Sequence, residues 1–96
     1  MSFETDSQIE GVLIKNKPLI LNPDTQRFLE QKGFGEWEKN KFILKPFESL
    51  YLLYTGRLAL FKGKKNIDFD SFLQICKKQH GDILTKFLVY RDLRTR

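Results

Sequence analysis

A chain of 96 residues holds one domain, and with 41% hydrophobic and 14% aromatic residues it has the material for one core, which excludes a disordered chain. One cysteine, Cys76, excludes an internal disulfide framework, and no apolar run approaches the ~18 residues of a membrane span. Net charge is +5, from 17 basic against 12 acidic residues; such a surface attracts phosphate backbones, and it also simply keeps a protein solvated.

The chain opens on MSFETDSQIE, which is polar and acidic, unlike a secretory signal, so a soluble cytoplasmic protein is expected. GVLIKNKPLILN then holds two apolar runs around Asn16-Lys17, the pattern of a hairpin. NPDTQRFLEQKG reads as a short helix, started by Pro23, capped by Asp24 or Thr25 and stopped by Gly33. FGEWEKNKFILKP reads as a turn and then a strand, KFIL, which ends before Pro46. Pro46 suits the first position of a helix, and Glu48 suits its positive end, so PFESLYLLYTG is a helix up to Gly56. Tyr51 and Tyr54 recur at helical spacing and read as core rather than as stacking platforms.

RLALFKGKKNIDF gives strand, turn and short strand, with the turn over Lys62–Asn66. Asp68 caps a further helix whose Phe69, Phe72, Leu73 and Cys76 fall at i, i+3, i+4 and i+7. Gly81 stops it, and Asp82 caps the last helix, ILTKFLVYRDLRTR. The expected class is α+β, a small and mainly antiparallel sheet of about four strands with three to four helices.

On a helical projection Ile83, Leu84, Phe87, Leu88, Tyr90 and Leu93 share half the circumference of the last helix and are expected to face the core. Arg91 and Arg94 fall on that same side. Two readings fit: the arginines snorkel to water beyond the core, or they face a neighbour. LVYRDLRTR carries no Gly or Pro stop of the kind that usually ends a helix.

Motifs for chemistry are few. His80 is the one histidine, in a connection between helices, and Cys76 sits on an apolar helical face. No Cys/His metal spacing and no phosphate-binding glycine loop is present. No catalytic, metal or cofactor-binding residue is assigned. Lys62, Lys64 and Lys65 cluster on one turn, as an ordinary solvated hairpin tip or as a weak RNA-facing group.

The segments LKPFESLYLLYTGRLAL, IDFDSFLQICKK and FLVYRDLRTR, in that order, resemble the N-terminal half of the archaeal-type tRNA-intron splicing endonucleases, with Leu88 to Arg94 the most specific part. The resemblance covers residues 42 to 96, and residues 1 to 41 share only its general character. It implies that residues 1–96 form the single, non-catalytic N-terminal domain of such an enzyme, with the last helix as a junction to a C-terminal nuclease domain absent from this sequence. It implies an α+β domain with an antiparallel sheet and about three helices. The family cuts precursor tRNA at intron boundaries without metal, using a Tyr, a His and a Lys of the C-terminal domain. None of those positions exists here, so His80, Lys86 and Tyr90 take no catalytic role and the chain alone is expected to be inactive. The expected partners are the nuclease domain or a catalytic subunit, and precursor tRNA through the assembled enzyme. No cofactor and no membrane are implied, and the isolated domain is free to be a monomer. Arg91, Arg94 and Arg96 become the candidate junction or RNA-facing residues. The alternative is a free-standing small basic RNA-binding protein or structural subunit without nuclease activity.

Overall fold

The computed structural model describes residues 9–94. In chain order the elements are β1 (Ile9–Ile14), β2 (Lys17–Ile20), α1 (Pro23–Gln31), β3 (Glu36–Glu38), β4 (Lys41–Ile43), α2 (Pro46–Tyr54), β5 (Leu58–Lys62), β6 (Lys65–Ile67), α3 (Phe69–Gln79) and α4 (Ile83–Arg94). The strands make one sheet in the order β3-β4-β2-β1-β5-β6. The class is α+β as expected, but the sheet has six strands among the described residues rather than about four. Taken strand by strand, the reading in chain order lacks only β3, whose Glu36, Trp37 and Glu38 are all exposed and so show no alternation. It exists because Trp37 pairs with Phe42 of β4 and their rings meet edge to face at 5.2 Å.

All neighbouring strands are antiparallel except β1 and β5, which run parallel with Val12 opposite Phe61. A parallel pair needs a long crossover, and the segment from β2 through α2 provides it. On β1, Ile9 and Leu13 are buried and Glu10 and Ile14 are exposed. By register the buried side continues through Ile20, Phe42, Leu58, Leu60 and Ile67 into one core cluster with Leu50, Leu52, Phe72, Leu73 and Cys76 of the helices. The expected i, i+3, i+4, i+7 face of α3 is this contact, with Phe69 at its half-buried margin.

Local chemistry sets the element ends. Lys15 and Asn16 both have positive φ, 52° and 63°, so the first turn is the two-residue type that follows the strand twist. It sits one residue earlier than expected, and Lys17 already belongs to β2. Lys39 and Asn40 repeat the same turn between β3 and β4. The β5–β6 turn is only Gly63-Lys64, because Lys62 and Lys65 pair across the strands. Asn22, rather than Asp24 or Thr25, caps α1: its side chain accepts from Asp24 N at 2.9 Å and Thr25 N at 3.2 Å. Pro23 at the first helical position leaves the cap to the residue before it. Asp68 caps α3 as expected, accepting from Ser71 N at 2.8 Å, and that bond holds its carboxyl below the usual range. α3 closes at His80, whose N–H donates to the Cys76 carbonyl at 2.7 Å. No helix among the described residues is long and apolar enough to cross a membrane.

Candidate interaction surface on the last helix

α4 packs on α2 and α3 along a stripe narrower than the half circumference expected. Ile83 and Phe87 are buried and Tyr90 is half-buried. Phe87 meets Tyr54 at 5.8 Å and Phe69 at 5.4 Å between ring centroids. Tyr90 meets Phe47 at 4.8 Å, Tyr51 at 5.7 Å and Phe34 at 6.4 Å. This aromatic knot fixes the rotation of α4 on α2. Burial raises the Tyr90 phenol above its ordinary value, more than the Arg94 hydrogen bond lowers it. Tyr90 therefore stays protonated at neutral pH and serves as packing.

Leu84, Leu88 and Leu93, expected in the core, stay outside, with Leu88 42% and Leu93 65% exposed. Val89, on the opposite side from Phe87, is 55% exposed. The physical reason is that two helices contact one stripe of a third, and apolar residues spread further round have nothing to meet. The sequence did hold a signal: the apolar residues of α4 are spread round the helix between polar ones rather than gathered on one face, wider than a single contact stripe covers. Val89 and Leu93, with Phe47, Tyr90, Thr85 and the Lys86 stem, line a shallow, almost wholly apolar depression.

The basic residues singled out from the sequence divide. Arg94 is tied to its own chain: its guanidinium lies 4.2 Å from the Phe34 ring centroid and donates to the Lys32 carbonyl and to the Tyr90 hydroxyl, both at 3.0 Å. Arg91 is half-buried with its guanidinium 5.7 Å from the centroid of the Tyr54 ring, which is itself exposed rather than core. Arg96 lies outside the described residues. Lys62, Lys64 and Lys65 are exposed around the β5–β6 turn, away from this knot. His80 is exposed, and Lys86 pairs with Asp82 at 3.7 Å. Among the described residues no group of three His, Cys, Asp or Glu side chains is placed to hold a metal ion.

Residues 9–73, more than half of the chain, match a family model described as tRNA intron endonuclease, N-terminal domain. The match takes in β1, β2 and α1, so the likeness extends well before residue 42. Among curated relatives, the tRNA-splicing endonuclease of Pyrococcus furiosus is 34% identical over 65 residues, 68% of this chain and 38% of that protein. That of Methanothermobacter thermautotrophicus is 29% identical over 90 residues, 93% of this chain and 52% of that protein. That of Methanococcus maripaludis is 27% identical over 97 aligned positions, 100% of this chain and 55% of that protein, and so includes α4. The chain thus spans about half, or less, of the length of the relatives it matches.

Proposed function

This chain belongs to the family of tRNA intron endonuclease N-terminal domains, and from that premise we propose that it is the non-catalytic N-terminal domain of an enzyme that cuts precursor tRNA at intron boundaries. The relatives named above are tRNA-splicing endonucleases, and this chain aligns with only part of each. Cleavage chemistry then belongs to a nuclease domain or catalytic subunit, and the task of residues 1–96 is to hold that partner in place.

The observation that carries this reading is the outer side of α4. Its inner side is fixed by Ile83, Phe87 and Tyr90, so Leu88, Val89 and Leu93 are presented on a rigid support. Roughly half of each of these side chains remains to be covered, and covering it contributes about 1 kcal/mol per residue. A partner surface that is apolar opposite Val89 and Leu93 fits the depression beside Phe47. Arg91 lies on the same helix, beside Leu84 and Leu88, as the candidate junction cation.

A graft tests the proposal. This chain replaces the segment of the Methanococcus maripaludis enzyme with which it aligns. The graft should assemble and cut intron-containing precursor tRNA at the intron boundaries. Carrying Val89→Asp and Leu93→Asp, it should keep a folded N-terminal domain and lose assembly and cutting together. A folded, assembled graft without cleavage, or one indifferent to both substitutions, refutes the reading.

A further inference from the structure

We infer that one end of the sheet is an RNA phosphate-backbone contact, built from lysines far apart in the sequence. The parallel pairing of β1 with β5 brings the turns that follow them to the same end. Continuing the register past Val12 opposite Phe61 sets Lys62 beside Leu13, and Lys15 and Lys64 follow on neighbouring turns. Lys65 enters β6 opposite Lys62. β4 runs parallel with β1, since both are antiparallel to β2, so its C-terminal Lys45 reaches this end as well. The hydrogen bond from Leu44 N to Pro18 O, 3.0 Å, places Lys45 next to Lys17. α3 ends here too: Gln79 and His80 line one groove with Asn16, Lys17, Pro18 and Lys45. Its last turn carries Lys77 and Lys78.

Eight of the 17 basic residues therefore gather at one end, across the strands from β6 to β4, a width of roughly 19 Å at the usual strand spacing. On the outer face of the sheet the basic surface runs on, because Lys15 and Lys17 line a depression with Lys39 and Lys41. Of the acidic residues near this end, Glu48 is buried and accepts from Lys45 N, and Asp82, just past His80, pairs with Lys86. Glu38 is engaged with Lys17 at 3.1 Å, and Glu36 lines the groove beside Lys45 and His80. Glu10, Asp68 and Asp70 lie at the other end of their strands and helix. Lys62 opposite Lys65 is a like-charge cross-strand pair, which costs stability unless an anion sits nearby. A polyanion with regularly spaced phosphates is the ligand that relieves a row of exposed ammonium groups, whereas a single small anion meets only one or two. The choice of RNA as that polyanion rests on the proposed function.

The test is fluorescence anisotropy of a fluorescein-labelled RNA hairpin with the 96-residue chain, over a range of NaCl concentrations. The chain should bind non-specifically, with Kd of order 10⁻⁴ to 10⁻⁶ M at physiological salt. Lys15→Gln with Lys64→Gln should flatten the dependence of log K on log salt by about one to two units, roughly 0.7–0.9 for each phosphate no longer neutralised. Arg27→Gln with Arg57→Gln removes the same charge from the far end, where β5 begins and the chain leaves β2 for α1, and should leave the slope unchanged. Equal flattening by both pairs, or no salt-dependent binding, overturns the inference. So does a Lys15/Lys64 dependence seen with phosphatidylserine vesicles and not with RNA. RNA binding that maps to Lys15 and Lys64 beside an inactive graft removes the splicing reading and supports this one. A graft that cuts while RNA binding ignores these lysines removes this one alone.

Discussion

Glu48 is a carboxylate only 4% exposed, with no basic side chain paired to it among the described salt bridges, and its removal is the most informative single perturbation of the fold. Its Oε1 accepts from Lys45 N at 2.9 Å, closing the first turn of α2, and from Gly35 N at 3.0 Å, holding the corner before β3. Hydrogen bonds to a charged acceptor contribute about 1.5–3 kcal/mol each. Lys45 is exposed and Gly35 half-buried, so water replaces part of what Glu48→Ala removes. The expected loss is about 2–3 kcal/mol, or a Tm lower by roughly 10–20 °C for a domain of this size. Glu48→Gln keeps one carbonyl acceptor and its shape, so it should cost about half as much. Urea unfolding of the three chains, compared at constant m-value, gives the differences. If Glu48→Gln proved as costly as Glu48→Ala, or Glu48→Ala cost under about 0.5 kcal/mol, the carboxylate would not be the clamp described here.

Gly35 has φ of 78°, and a Cβ there would stand 2.5 Å from Phe42 Cζ, whereas Gly56, with φ of 75°, has nothing within 4 Å. Gly35→Ala should therefore cost about 2–5 kcal/mol and Gly56→Ala only about 1–2 kcal/mol, read from the same denaturation curves, and equal costs would place the strain in the backbone alone. Burial pushes the Cys76 thiol up to about 11, so between the ordinary thiol range and that value the unfolded chain loses a proton that the native chain keeps. Stability should fall as pH rises through this window, Cys76→Ala should lose that part of the fall, and native Cys76 should react with a thiol reagent only as fast as the protein opens; rapid native labelling at neutral pH would contradict the burial.

The sequence by itself determined what is local. Pro23 and Pro46 start helices through their fixed φ, Asp68 through a bond to Ser71 three residues on, and the spacing of Phe72, Leu73 and Cys76 marks one face of one helix, so these were legible without a fold. The family likeness was legible for the same reason, since it rests on runs of adjacent residues such as LVYRDLR. Tertiary structure alone decided what depends on a distant partner. β3 is a strand because β4 lies beside it, and three exposed residues carry no period to announce that. A helical projection puts Arg94 on the core side without naming its partners, which are Phe34 and the Lys32 carbonyl, some sixty residues earlier. Leu88, Val89 and Leu93 stay outside because α2 and α3 cover only one stripe of α4, a width that packing geometry sets and the composition of α4 does not. The gathering of Lys15 and Lys64 at one end follows from the parallel pairing of β1 with β5, and Lys45 joins them because two antiparallel pairings return β4 to the direction of β1. Strand direction is a relation between two segments, held in the hydrogen bonds between them, and neither segment encodes it alone.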